Sequence, residues 1–276
     1  MKTEDSVARH YADEGIEERF LAAVAASGKD LAHLAPSDLA PVDEFHIGGR
    51  QATVDFAAEL GFKPGLHLLD IGCGLGGASR YFAHECGCRV TGVDLTEDYV
   101  RLATTLARLV GLENQVAYRQ SSALALSFPS GGFDGATMFH VGMNIEDKAK
   151  LFAEIRRALK SGGLFGIYDV MRERDGDLSF PLPWASSPDM SFVATAETYR
   201  SLLEKAGFAV KKVRNRREFA LAFFDGMRAD AAATGRQPPL GVHLLMGASA
   251  PQKIANLVDN LRRGLIAPVE MIAEAL

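Results

Sequence analysis

Asp70 stands two residues before a glycine run, Gly72-Cys73-Gly74-Leu75-Gly76-Gly77, and a second acid, Asp94, closes the apolar stretch Val90-Thr91-Gly92-Val93 one helix length later. An apolar run that breaks into glycines, then a helical pattern, then an apolar run ending in a carboxylate reads as a strand-loop-helix-strand nucleotide site. The glycines permit a tight turn and close approach of the backbone to a ligand. Gly72, Gly74 and Gly77 also satisfy the G-x-G-x-x-G pattern of a dinucleotide fold, so they leave the ligand open. Asp94 can accept from both ribose hydroxyls of either ligand and does not choose between them.

Asp70 does choose. A pyrophosphate at the following helix N-terminus would be repelled by that carboxylate, whereas an ammonium-bearing ligand is held by it through water or backbone. S-adenosylmethionine, with an amino group and a sulfonium, is such a ligand.

The elements that must position these residues follow from periodicity. Amphipathic helices are expected around 6–26 and 49–60, separated by a proline- and glycine-broken loop over 36–49. Strands are expected at 66–71, 89–94, 116–119, 133–139, 164–170 and 208–213, alternating with helices at 75–85, 97–109, 145–159 and 196–206. Such alternation demands a mainly parallel sheet with helices on both faces, and ligands gather at the carboxyl ends of its strands. The 171–194 stretch carries Pro181, Pro183 and Pro188 around the one tryptophan, Trp184, and reads as a functional lid. Helices at 218–233 and 251–263 and an antiparallel last strand at 267–275 complete the chain.

At 276 residues with a net charge of -5, the chain suits one α/β domain with an appended lid. The acidic balance argues against nonspecific binding to nucleic-acid phosphates. With no apolar signal core at the N-terminus and no run of the ~18 apolar residues of a membrane span, the expected location is cytoplasmic. Cys73, Cys86 and Cys88 are then expected as free thiols. Cys86-x-Cys88 lacks a second Cys/His cluster, so no metal is expected. The basic cluster Lys211-Lys212-Val213-Arg214-Asn215-Arg216-Arg217 has no interleaved aromatics and reads as a solvated sheet edge.

On Asp43-Glu44-Phe45-His46-Ile47-Gly48-Gly49, the glycine run after Leu69-Asp70-Ile71, Thr91-Gly92-Val93-Asp94-Leu95-Thr96 and Leu159-Lys160-Ser161-Gly162-Gly163, the chain resembles the class I S-adenosylmethionine-dependent methyltransferases. It is most similar to small-molecule enzymes of the sarcosine and dimethylglycine N-methyltransferase kind, over about residues 40–214. The resemblance implies an α/β, Rossmann-like, seven-stranded, mainly parallel sheet with helices on both faces and a helical cap. It divides the chain into an N-terminal cap and entrance loop (1–62) and a methyltransferase core (63–276) with lid insertions at about 171–194 and 218–264. It implies S-adenosylmethionine as cofactor, held by Gly49, Asp70, Gly72, Gly74, Gly76, Asp94, Leu95, Ser122 and Ala123. Where the family has Gly-Asp-Ala after strand three, with the Asp accepting from the adenine amino group, this chain has Ser121-Ser122-Ala123. A serine hydroxyl keeps the acceptor and loses the charge assistance.

Methyl transfer from a sulfonium is an in-line displacement that orientation and desolvation can carry, so no fixed triad is required. His140, after strand four, is a candidate general base, or else holds its loop. Asp169, ending strand five, is its candidate orienting acid, or a solvated turn residue. Trp184, with Tyr11 or Phe192, reads as an aromatic wall for the substrate or as a lid residue packed on the sheet. His46 reads as a substrate-side residue of the entrance loop or as a hydrogen bond across it. The expected partner is a small-molecule substrate, with neither nucleic acid nor membrane, and a homodimer is left open. Methylation of nitrogen or oxygen, an NAD-dependent oxidoreductase, and a non-catalytic binder of the same cofactor are the functions to be separated.

Overall fold

The computed structural model describes residues 2–11, 15–235 and 240–276. Four helices precede the sheet: α1 (Lys2–Tyr11), α2 (Ile16–Ala26), α3 (Pro36–Asp43) and α4 (Gly49–Leu60). The core then runs β1 (His67–Ile71), α5 (Gly77–Cys86), β2 (Arg89–Asp94), α6 (Glu97–Leu109), β3 (Val116–Gln120), β4 (Phe133–Phe139), α7 (Lys148–Ala158), β5 (Leu159–Arg172), α8 (Ala196–Lys205) and β6 (Phe208–Asn215). It closes with α9 (Arg217–Thr234), the short α10 (His243–Met246), α11 (Ala250–Arg262) and β7 (Ile266–Ala275).

The seven strands form one sheet in the order β3-β2-β1-β4-β5-β7-β6. β1 to β5 pair in parallel, and β7 runs antiparallel to both β5 and β6. Order reverses at β1, so a crevice opens between the carboxyl ends of β1 and its neighbours, where α/β sheets bind ligands. Helices bury the faces in the expected way. On α6, Tyr99, Leu102, Ala103, Leu106 and Ala107 recur at i, i+3, i+4, i+7, i+8 and are all buried, giving one apolar stripe.

Three local expectations change. The stretch 36–49 contains a helix, because Pro36 occupies a first-turn position where its missing N–H is no loss. The helix expected over 6–26 is two helices, and residues 12–14 lie outside the described residues. The basic cluster on β6 is paired more than solvated: Lys212 and Arg214 bond to Glu59, Arg214 and Arg216 to Glu270, and Arg216 to Asp55. Together these pairs tie the edge strand to α4 and β7.

No described helix is long and apolar enough to cross a membrane. Among the described residues, no group of three or more His, Cys, Asp or Glu side chains could hold a metal ion.

Candidate functional site

Register explains the first acid. Asp70 on β1 lies beside Thr137 on β4, and its carboxylate accepts from Thr137 Oγ1 at 2.8 Å and from Ser79 Oγ on α5 at 2.6 Å. It is 2% exposed, and burial lifts it to about 6, against the pull of the two hydroxyls. Asp94 ends β2 with its carboxylate accepting from Gly74 N and Thr96 N, both at 2.9 Å. One acid therefore fixes the glycine loop and the start of α6 together. Burial raises its pKa, against the pull of the backbone amides.

Between these acids lies a cavity of about 390 Å³, lined by Asp70, Gly72, Gly74, Asp94, Leu95 and Ala123 among others. That volume is within the ~300–1,000 Å³ of sites that hold small molecules and cofactors. Gly72 has φ of 64°, and a Cβ there would run into the Val141 side chain. Only glycine lets β1 turn there beneath the loop that follows β4.

A second cavity, of about 1400 Å³, adjoins the first across a shared wall, termed the neck: Tyr11, Phe45, His46 and His140 line both. His140 has φ of 54°, a left-handed conformation uncommon outside glycine. Its N–H and Nδ1 both reach the Tyr168 carbonyl, at 2.7 and 3.2 Å, and its Nε2 accepts from Ile47 N at 3.4 Å. His46 faces it with ring centres 6.0 Å apart. His46 Nε2 contacts Gly49 O at 3.1 Å and Thr53 Oγ1 at 3.0 Å, and Thr53 Oγ1 donates to Glu44 at 2.5 Å. This chain of bonds places the His46 proton on Nε2 and leaves the Nδ1 lone pair without a hydrogen bond among the described residues.

Burial lowers His46 to about 4 and His140 to about 3. Both imidazoles are therefore neutral at ordinary pH. In the unfolded chain they take up protons near 6.5, so stability is lost as pH falls from there towards 4. Each contributes a loss of about 2 kcal/mol between pH 7 and 5. Asp70 and Asp169, both raised to about 6 by burial, act in the opposite sense over the 6 to 3.8 range. The H46Q/H140Q double variant keeps those acids, so urea denaturation is expected to give it a smaller loss between pH 7 and 5 than the parent chain. Equal losses would contradict the burial of the two rings.

Several expected site residues lie elsewhere. Asp169 does not orient His140. Its carboxylate accepts from Tyr199 Oη at 2.6 Å and Val170 N at 2.9 Å, and it lines neither cavity. Register pairs Phe139 with Tyr168 and would bring His140 beside Asp169, but the left-handed turn at His140 swings its ring to the Tyr168 side, with ring centres 4.9 Å apart. Ser122 is turned from the first cavity's wall to bond Glu4 of α1, while Ser121 and Ala123 line it. Gly49 lines the second cavity and not the first. Gly76 caps α5 and lines neither. Trp184 lines the second cavity while packed at 3% exposure, its Nε1 donating to Ser191 Oγ at 3.0 Å. Phe192 lines neither cavity.

Two features escaped sequence reasoning. Glu4 reaches the first cavity's wall from α1. Arg80 of α5, 1% exposed, bonds Asp43 of α3 and the Leu75 carbonyl, clamping the entrance segment to the glycine loop. The acidic pair Asp43-Glu44 before His46 was the available signal, since two adjacent acids buried at an entrance need partners.

A seven-stranded sheet of this order, with a glycine loop after β1 and an acid closing β2, is the architecture of a class I methyltransferase. Residues 69–167 match the methyltransferase domain family. The 2-methyl-6-phytyl-1,4-hydroquinone methyltransferase of Synechocystis sp. is 31% identical over 215 residues, 75% of this chain and 64% of that protein. A sterol 24-C-methyltransferase of Gibberella zeae is 34% identical over 113 residues, 41% of this chain, which thus spans 30% of the length of that relative. In fold, the geranyl diphosphate C-methyltransferase of Streptomyces coelicolor A3(2) aligns over 100% of this chain and 99% of its own, with TM-score 0.73 at 19% identity. Residues 69–167 of the chain therefore carry a methyltransferase domain, similar in sequence to S-adenosylmethionine-dependent enzymes that methylate small molecules.

Proposed function

We propose that the chain transfers the methyl group of S-adenosylmethionine to a nitrogen or oxygen of a small molecule. The observation that carries this reading is the acid-closed glycine-loop cavity lying against a second cavity, with four residues of wall in common. A nucleotide cofactor fits the first cavity on chemical grounds. Asp94 and Asp70 both line the cavity, the first as the acceptor for the ribose hydroxyls and the second as a site for an ammonium group. When bound, S-adenosylmethionine supplies an electrophilic methyl group, which the acceptor's lone pair takes as the carbon–sulfur bond breaks.

The chain's own part is orientation and exclusion of water. His46 Nδ1 accepts the hydrogen of the acceptor's O–H or N–H, its tautomer fixed by Thr53 and Glu44. At a pKa of about 4 it orients this hydrogen before transfer and takes it as the new bond to carbon makes it strongly acidic, passing it on to solvent, while the electron pair of the broken carbon–sulfur bond stays on sulfur. His140, with both ring nitrogens turned to backbone, shapes the neck. Tyr11 keeps its phenolic proton because burial raises its pKa. Calorimetry with S-adenosylhomocysteine and with NAD tests the reading. Saturable binding of the first alone is expected, and tight NAD binding with no response to S-adenosylhomocysteine would overturn it.

Glu4, docked on Ser122, takes the part of the acid missing after β3 and accepts from the adenine amino group. Because the group is partly exposed, Glu4→Ala is expected to weaken S-adenosylhomocysteine by about 1 kcal/mol, roughly fivefold. Unchanged affinity in the same titration would leave adenine to backbone and apolar contacts.

A further inference from the structure

The second cavity is larger than the roughly 300–1,000 Å³ that accommodates drug-sized ligands. At about 1400 Å³ it far exceeds what a small amine fills. Its wall is apolar, built by Ile47, Met143, Trp184, Phe224, Ile254 and Leu257 among others. These come from the entrance loop, the turn after β4, the 171–194 segment, α9 and α11.

The charged side chains that the described residues place on that wall are already engaged. Glu44 accepts from Arg50 at 3.2 Å and from Thr53. Arg50 also approaches Glu85 at 3.7 Å and lies over the Tyr81 ring. Asp230, on the exposed face of α9, has its own partner. His243 is pushed towards its neutral form by burial, as are His46 and His140. Among the described residues the cavity therefore has no unengaged cation for a carboxylate or phosphate and no unengaged carboxylate for an ammonium group. Burying an unpaired ligand charge against the apolar wall that these described residues form would be strongly unfavourable.

We propose that this cavity holds the methyl acceptor, and that the acceptor is an uncharged, largely apolar molecule bearing a hydroxyl. The apolar body lies between α9, α11 and Trp184, and the hydroxyl sits at the neck against His46 Nδ1. That the occupant takes a methyl group rests on the methyl-transfer reading. The chemistry of the occupant rests on the cavity alone.

The probe is N-phenyl-1-naphthylamine, an uncharged apolar fluorophore, titrated into the full chain with and without S-adenosylhomocysteine. Saturable fluorescence enhancement is expected, reversed by the uncharged lipophilic alcohol farnesol and unaffected by sarcosine or dimethylglycine. Ile254→Asp sets an unpaired charge on the wall and is expected to weaken the probe about tenfold or more. Ala231→Trp plugs the cavity from an exposed position on α9 and guards against a folding defect in the first variant. Both variants are expected to keep calorimetric affinity for S-adenosylhomocysteine, since neither position lines the first cavity. Absence of probe binding, equal binding by parent and both variants, or displacement by sarcosine and not by farnesol would each overturn the proposal. Probe binding as expected with no S-adenosylhomocysteine binding would instead sink the methyl-transfer reading and leave the occupant's chemistry standing.

Discussion

Arg80→Ala is expected to cost about 3–5 kcal/mol of folding stability, the usual consequence of removing one member of a buried ion pair. Arg80 and Asp43 have side-chain exposures of 1% and 2%, so the variant strands a carboxylate in the interior. It also releases the Leu75 carbonyl, which accepts from the guanidinium at 2.8 Å, inside the glycine loop. Urea denaturation measures the loss. The R80M/D43L double variant, with no charge left unpaired, is expected to recover much of it. A single-variant loss below about 1 kcal/mol, the range of exposed pairs, would mean that water reaches Asp43.

Asp94→Ala is expected to abolish most cofactor affinity while leaving a folded chain. A hydrogen bond to a charged group contributes about 1.5–3 kcal/mol, and this carboxylate is the candidate acceptor for two ribose hydroxyls. The substitution also frees Gly74 N and Thr96 N, loosening the loop that the ligand lies against. Together these predict a loss of at least roughly 100-fold for S-adenosylhomocysteine. Asp94→Asn keeps one acceptor oxygen and should fall between. Unchanged affinity in Asp94→Ala would remove Asp94 from the site.

The strands and the glycine loop were legible because their signals are local. A buried parallel strand reads as an unbroken apolar run, and β1 carries an acid one residue before its end while β2 ends on one, acids that their neighbours must satisfy. Even the antiparallel β7 showed in its alternation. The neck was less legible because its bonds join distant segments. Glu4 meets Ser122 across 118 positions, and no local pattern announces that contact. The pairing of His140 with Asp169 failed at one dihedral angle. Register does bring those positions together, but a left-handed residue after Phe139 turns the ring away, and a non-glycine residue gives little warning of that conformation. The protonation of both histidines was likewise out of reach, since it depends on burial created by α3, α4 and β5 together.

A crystal structure with S-adenosylhomocysteine tests the central claim most directly. Adenine is expected beside Glu4, the ribose hydroxyls on Asp94, the amino group towards Asp70, and the sulfur facing the neck formed by Tyr11, Phe45, His46 and His140. A sulfur directed away from that neck, with the second cavity sealed from the position of the departed methyl, would contradict it.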